Sequence, residues 1–123
     1  MNTGDHTIQQ VTIYTDGSLG YAGAGGWAFI VHKDGATIER AGFVHGTTSQ
    51  RMELTAIIMA MTYCLENDVP QPVIFSDSEY SVKTFTLWAR RWKPQDWPKK
   101  KNTDLVRQGL RLHGQLKPRL QWV

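Results

Sequence analysis

Three acidic residues that lie far apart in the sequence occupy positions unusual for solvated surface charges. Asp16 follows the β-branched and apolar run VTIYT, and Asp77 follows the short run VIFS. Glu53 lies at helical spacing with the apolar residues Ala56 and Ala60, so its side chain starts on a buried stripe. Leaving a charged carboxylate unpaired there costs several kcal/mol, and a divalent cation removes this cost. We therefore predict that the three acids together form a binding site for a divalent metal.

The chemistry of the three acids restricts the choice of metal. Hard carboxylate oxygens without thiolate or imidazole ligands favour Mg²⁺, with Mn²⁺ as a substitute. The four histidines show no ligand spacing, and the single cysteine, Cys64, excludes a thiolate cluster and an intrachain disulfide. The alternative is that Asp16 and Asp77 are turn and helix-capping residues and that Glu53 pairs with an arginine such as Arg51.

The elements that must position these acids follow from residue patterning. The order strand, hairpin, helix, strand, helices and strand predicts one α/β domain over residues 1–123 with a mixed sheet, in which residues 1–7 form a flexible tail. The predicted elements are a strand over 11–16 ended by Gly17, a hairpin over 27–45 that turns at Asp34–Gly35, a helix over 50–67 capped by Thr48 or Ser49, a strand over 73–75, a helix from 79 to about 88 capped by Ser78, a helix from about 103 to Gly114 capped by Asn102 or Thr103, and a strand over 120–123.

The connection between the two apolar strands places two of the acids. The strand before Asp16 and the strand before Asp77 are joined through a long helix, which implies parallel pairing with a right-handed crossover. Both acids then lie at the same carboxyl edge of the sheet, where open α/β sheets bind ligands.

Charge is distributed very unevenly along the chain. The net charge is only +3, but eleven of the 14 lysines and arginines occur from Lys83 onward, where Asp96 and Asp104 are the only acids. Tryptophans interleave these basic residues, which favours nucleic acid over a membrane surface as the partner. The sequence contains neither a membrane-spanning apolar run nor the pattern of a signal peptide, so we expect a cytoplasmic location and no membrane partner.

Several motifs together resemble the type 1 ribonuclease H family. They are YTDGS, the glycine-rich turn before GGWAFIV, TTSQRMEL, FSDSEY, the basic tryptophan-rich stretch and KNTDL, in family order from residue 11 to the end. The resemblance implies a five-stranded mixed sheet with an antiparallel hairpin and flanking helices. It also implies endonucleolytic hydrolysis of the RNA strand of RNA/DNA hybrids by two metal ions held by a D, E, D, D set. Asp16, Glu53 and Asp77 match its first three members, with Asp16 bridging the metals.

The resemblance also implies a set of substrate contacts. Residues 88–101 are similar to a basic handle that grips the DNA strand, although core packing is the alternative role for its tryptophans. The chain has Ser49 and Gln50 where the family usually has two asparagines, and Glu79 where it usually has an amide. The implied substrate-binding residues are Trp88 and Trp92 along sugars and bases, Lys93, Lys99, Lys100 and Lys101 at phosphates, Thr48 and Asn102 at a DNA phosphate, Ser49, Gln50 and Ser78 at the minor groove, and Gly17.

The sequence departs from the family after its last strand. In the family that strand leads to a loop with a histidine and a helix with the fourth acid, whereas this sequence stops at Val123 and has no other acid that matches. We therefore expect the C-terminal helix to be absent and hydrolysis by the monomer to be low or favoured by Mn²⁺. We also expect surface exposed near Leu120 and Trp122 to bind a second copy or a protein partner. Two alternatives remain, namely a hybrid-binding module with impaired cleavage and a DNA-acting nuclease on the same scaffold.

Overall fold

The chain folds around one mixed β-sheet. In the computed structural model the described residues are 10–123, so the predicted tail over residues 1–7 lies outside them. The strand order is β3-β2-β1-β4-β5; β2 is antiparallel to β1 and β3, while β4 is parallel to β1 and β5. The predicted mixed sheet with an antiparallel hairpin is thus confirmed. The strands are β1 (Thr12–Leu19), β2 (Gly25–Lys33), β3 (Ala36–Val44), β4 (Val73–Ser76) and β5 (Arg119–Trp122).

Across the described part of the chain, three α-helices flank the sheet. They are α1 (Ser49–Glu66), α2 (Glu79–Lys83) and α3 (Thr103–Leu116). Thr48 caps α1, because its Oγ1 accepts a hydrogen bond from the Arg51 N–H at 3.2 Å. Ser78 caps α2 in the same way, accepting from the Ser81 N–H at 3.2 Å. None of the helices described within residues 10–123 is long and apolar enough to cross a bilayer.

The sheet separates a buried face from a solvated face. Ile13, Ile74 and Leu120 occupy neighbouring positions on β1, β4 and β5, and all three are buried in the core that the helices cover. Because side chains alternate along a strand, Tyr14 and Phe75 lie on the other face, where they stack at 5.1 Å and Tyr14 is 47% exposed. The expectation of exposed surface near Leu120 and Trp122 is met only in part, because the Leu120 side chain faces the core, whereas Trp122 and Val123 are exposed.

The helical segment that continues from α2 is not a regular α-helix. A π-helical turn over Thr84–Trp88 leads into a 3₁₀ turn over Ala89–Arg91, so the predicted helix to Trp88 is helical but not α-helical throughout. The Thr84 and Thr86 hydroxyls donate to backbone carbonyls four residues earlier, at 2.6 and 2.7 Å, which perturbs the regular ladder. Arg90 Nε then donates to the Phe85 carbonyl at 2.9 Å and stabilises the widened turn.

Helix α3 begins at Thr103 as predicted but differs from its prediction in its end and in its capping. It passes Gly114 and ends at Leu116, where Lys117 adopts a left-handed conformation and its N–H donates to the His113 carbonyl at 2.8 Å. Asn102 immediately precedes the helix, but its side chain makes no capping hydrogen bond because it is engaged elsewhere. A glycine in mid-helix, Gly109, lets α3 approach the buried ring of Phe85, since a Cβ at this position would overlap that ring.

We expect Gly109→Ala and Gly114→Ala to change stability in opposite directions. The methyl group at 109 collides with the fully buried Phe85 ring and should cost about 1–3 kcal/mol of unfolding free energy. At 114 nothing lies within 4 Å of an added Cβ, so alanine should stabilise by about 0.5–1 kcal/mol through its helix propensity. Urea unfolding of both variants measures the difference, and equal effects would contradict the close packing of α3.

Candidate functional site

The pairing of β1 with β4 brings Asp16 and Asp77 together. Their parallel ladder ends at the pair Thr15 and Ser76, so these two acids are the next residues beyond it on adjacent strands. The predicted shared edge is therefore present. The predicted end of the strand at Gly17 was wrong: β1 continues to Leu19 because this part pairs with β2, where Gly17 lies opposite Trp27.

Helix α1 brings the third acid to the same edge. It crosses β1 so closely at Gly17 that a Cβ there would overlap the backbone of Met52 and Glu53. The Gly17 N–H donates to Glu53 Oε1 at 2.6 Å and orients that carboxylate. Gly17, expected to bind substrate, thus lies beneath Glu53 in the structure, and its contact with substrate stays a prediction.

The three acids form a compact cluster. Each of Asp16, Glu53 and Asp77 offers an oxygen within 4.8 Å of the other two. Burial, a hydrogen bond with Asp77 and repulsion from both aspartates raise the pKa of Glu53 from 4.5 to about 7, although the Gly17 N–H acts in the opposite direction. Such concentrated negative charge is stabilised by a cation.

The donor set fits a hard divalent metal. Two Mg–O bonds of about 2.1 Å span up to about 4.2 Å, so the three oxygens need only small movements to share one ion. The alternative partner for Glu53 is occupied elsewhere, because Arg51 makes a two-pronged ion pair with Asp104 at 2.7 and 3.0 Å. This pair holds the pKa of Asp104 at about 2. The ion-pair explanation for Glu53 therefore does not hold.

A basic and aromatic cleft is formed between the segment after α2 and the start of α1. Its volume is about 580 Å³. It brings together six of the predicted substrate-binding residues, and it adds Tyr80 and Arg91, which we had not predicted. Arg91 lies in the recognised basic segment and could have been included, whereas Tyr80 depends on how α2 packs. The lining residues are Gln50, Tyr80, Trp88, Arg91, Trp92, Lys99, Lys100 and Lys101.

The two tryptophans of the predicted handle have different surroundings. Trp88 is 41% exposed. Trp92 is only partly exposed, packs edge-on against Trp97 at 4.9 Å, and has Lys100 Nζ 5.2 Å from its ring centroid. Packing therefore explains much of Trp92, while the ring of Trp88 remains available for a ligand.

The other predicted substrate residues lie outside the lining of this cleft. Thr48 and Ser49 are exposed at the start of α1. Lys93 is also exposed, and its backbone N–H donates to the Asp96 carboxylate. The Ser78 hydroxyl is partly committed, since it caps α2 and contacts Ser81 Oγ at 2.8 Å. Asn102 lies between Arg51 and Tyr80, within hydrogen-bonding distance of both.

A mixed sheet with this strand order and three acids at one carboxyl edge defines the ribonuclease H-like class of α/β proteins. A family model described as RNase H matches residues 8–123. The chain therefore belongs to the RNase H family, as the sequence motifs predicted.

Known proteins similar to this chain agree with that assignment. The Ribonuclease H of Cyanothece sp. is 37% identical over 100 residues, which span 80% of this chain but only 64% of that protein. The Ribonuclease H of Chlorobium luteolum is 41% identical over 112 residues, which span 85% of this chain and 75% of that protein.

Two solved structures share the fold. LC9-RNase H1, a type 1 RNase H with the type 2 active-site motif, superposes with a TM-score of 0.77 at 24% identity, covering 95% of this chain and 64% of that one. The N-terminal RNase H domain of rv2228c from Mycobacterium tuberculosis, solved as a fusion with maltose binding protein, gives a TM-score of 0.75 at 20% identity and covers 94% and 87%. At these identities the structures support the fold alone.

We expect the contribution of Glu53 to the stability of the metal-free chain to fall as pH rises from about 5 to about 8, whereas His113, whose pKa is lowered by burial and by Arg90, acts in the opposite direction over part of this range. The pKa of Glu53 is about 7 in the folded chain against its ordinary 4.5, so the folded state retains a proton that the unfolded state has lost. Solvent screening of this half-exposed group limits the loss to about 1 kcal/mol.

Thermal unfolding with a chelator across this pH range, for the unmodified chain and Glu53→Gln, measures the effect. The glutamine variant should lose less stability than the unmodified chain as pH rises, whereas Glu39→Gln, on an exposed strand position away from the site, should retain the original profile. Identical pH profiles for the unmodified chain and Glu53→Gln would contradict the charge cluster.

Proposed function

We propose that this chain hydrolyses the RNA strand of RNA/DNA hybrids endonucleolytically with divalent-metal catalysis. The observation that carries the proposal is the cluster of Asp16, Glu53 and Asp77, whose oxygens lie within 4.8 Å of one another. Membership of the RNase H family supports the same reaction. The basic, aromatic cleft supports a nucleic-acid substrate.

The three acids are the proposed catalytic and metal-binding residues. When bound, Mg²⁺, or Mn²⁺ as a substitute, activates water for in-line attack on phosphorus and stabilises the leaving oxygen. Asp16, which matches the first acid of the family set, is the proposed shared ligand. Glu53 is held for this role by the Gly17 N–H, and Asp77 is held by the end of β4.

The proposed substrate contacts divide into two regions. In the cleft, Trp88 offers an exposed ring to sugars and bases, and Lys99 and Lys100 offer charge to phosphates. Along the start of α1 and the adjoining helix ends, polar groups meet the rest of the duplex. The second region comprises Thr48 and Asn102 at a DNA phosphate, with Gly17, Ser49, Gln50 and Ser78 toward the minor groove; Trp92 and Lys93 complete the proposed handle.

The strength of metal binding distinguishes a competent nuclease from an impaired one. Within residues 10–123, the three acids are the one group of possible metal ligands of this kind, without a fourth carboxylate. We propose that they bind one ion firmly and a second weakly, which lowers turnover with Mg²⁺ and favours Mn²⁺. A module that binds hybrid with little cleavage is the second candidate, and the same observation favours it.

We also propose that the solvated sheet face binds a second copy of the chain or another protein. Tyr14 and Phe75 stack on this face, where Tyr14 is 47% exposed, and Val123 at its edge is 66% exposed. Trp122 is also exposed, at 54%, but the strand register places it on the opposite face, at the end of β5. Apolar side chains grouped in this way are typical of interaction surfaces. A cytoplasmic location is proposed as well, which the single free cysteine, Cys64, supports.

We expect labelled RNA/DNA hybrid to be cut in its RNA strand, and double-stranded RNA and DNA of the same sequence to remain intact. Cleavage should be faster with Mn²⁺ than with Mg²⁺, and Asp16→Asn should reduce it by at least about 100-fold through loss of a shared metal ligand. Gel analysis of the products measures all of these rates.

The same assay separates the rival functions. Hybrid binding by the unmodified chain without cleavage would replace the enzyme with the binding module. Cleavage of duplex DNA that Asp16→Asn abolishes would instead indicate a DNA nuclease, and cleavage that survives in Asp16→Asn would contradict the proposed site.

We expect the chain to form dimers at micromolar concentration. Size-exclusion chromatography with light scattering measures the mass, and Tyr14→Glu should shift it toward the monomer because a charge replaces an exposed aromatic ring on this face. Lys33→Glu, an exposed charge change at the far end of β2, is the control and should leave the mass unchanged. A strictly monomeric profile would rule out self-association through this face.

A further inference from the structure

Four side chains join the N-terminal ends of the three α-helices in one hydrogen-bonded network. Arg51 of α1 donates to both carboxylate oxygens of Asp104 in α3, at 2.7 and 3.0 Å. The same guanidinium donates to Asn102 Oδ1 at 3.3 Å, and Asn102 Nδ2 donates to the Tyr80 hydroxyl at 3.2 Å. The proposed function uses Asn102 as a phosphate contact but assigns no role to Arg51 or Asp104.

Asn102 has a left-handed backbone conformation, and its side chain takes part in this network instead of capping α3. The residue has φ 59° and ψ 29°, the left-handed conformation that asparagine tolerates better than most residues. An asparagine directly before a helix usually caps it by accepting a backbone N–H. Here the side-chain oxygen Oδ1 accepts a hydrogen bond from Arg51, so this side chain does not cap the helix.

The partners of Asn102 determine which way its amide faces. A guanidinium has only donors, so the amide oxygen must face Arg51 and the amide nitrogen must face away from it. One Nδ2 hydrogen is used by the Tyr80 hydroxyl. The second hydrogen has no acceptor among the hydrogen bonds of residues 10–123, and it suits a phosphate oxygen outside the network.

We propose that Arg51, held in place by Asp104, is a positioning residue that fixes the Asn102 amide with one N–H ready for a phosphate of the bound hybrid. The inference rests on the proposed function and identifies what orients one of its contacts. Arg51 also reaches the other predicted contact at this phosphate, since its backbone N–H donates to Thr48 Oγ1 at 3.2 Å. This second bond comes from the backbone, so the Arg51 variants should leave it in place.

The shape of arginine is essential to this role. Its planar fork reaches Asp104 and Asn102 together, whereas a lysine ammonium acts as a single point charge. Arg51→Lys therefore keeps an ion pair with Asp104 and loses the bond to Asn102. This variant separates positioning from a purely structural contribution of the ion pair.

The test compares Asn102→Ala, Arg51→Lys, Arg51→Met and the double variant Asn102→Ala/Arg51→Lys with the unmodified chain. Arg40→Met is the matched control, because Arg40 lies on β3 and stacks on Tyr63, 5.9 Å from its ring centroid. Three quantities are measured: the Kd for a fluorescent hybrid in a chelator, KM and kcat with metal, and the unfolding temperature.

Asn102→Ala and Arg51→Lys should each weaken hybrid binding and raise KM about fivefold, the effect of one hydrogen bond, with kcat within about twofold. The double variant should be no weaker than Asn102→Ala alone, because both changes remove the same contact. Arg51→Lys should retain the unfolding temperature, and Arg40→Met should retain the Kd.

Three results would overturn the proposal. If Asn102→Ala weakens binding while both Arg51 variants bind normally, Arg51 does not position the amide. Additive losses in the double variant would show that Arg51 acts separately from Asn102. A normal Kd for Asn102→Ala would show that Asn102 does not contact the hybrid. Failure of the unmodified chain to bind or cut hybrid would instead show that the proposed function is wrong.

Discussion

The contact between Gly17 and the start of α1 is the constraint on which the site depends. A strand and a helix approach here without room for a single additional carbon atom, and a backbone N–H of the strand binds a carboxylate of the helix. That closeness brings Glu53 to the edge where Asp16 and Asp77 lie on adjacent parallel strands. Three carboxylates from distant parts of the chain therefore meet because two backbones are in contact.

Holding these acids together has an electrostatic cost that the fold leaves partly uncompensated. Burial and repulsion raise the pKa of Glu53 to about 7, and the nearby Arg51 is paired with Asp104 instead. Positive charge is concentrated in the cleft that Gln50 of α1 lines together with Lys99 and Lys100. The result is a surface with separate regions for a cation and for a polyanion, which is what a metal-dependent reaction on nucleic acid requires.

Sequence patterns were sufficient for the sheet and for the three acids, because both depend on local periodicity. Apolar alternation identified the strands, and the strand-helix-strand order implied the parallel pair that places Asp16 beside Asp77. The errors arose where distant partners override a local signal. Gly17 was expected to end β1, but pairing with β2 carries the strand onward to Leu19. Asn102 was one of two residues predicted to cap α3, but its side chain instead accepts a hydrogen bond from Arg51, which lies 51 residues away in the sequence.

The π-helical turn over Thr84–Trp88 has a consequence for how this surface can evolve. Such a turn contains one residue more than the α-helical turn it replaces, and one residue corresponds to about 100° of rotation about a helix axis. Deleting a single residue in this turn would rotate the ring of Trp88 about the helix axis, and the acids on β1, β4 and α1 lie outside the turn. A deletion of one residue can therefore change the wall of the cleft without changing the three acids. This offers an evolutionary route by which the preference for one duplex geometry changes while the catalytic residues stay the same.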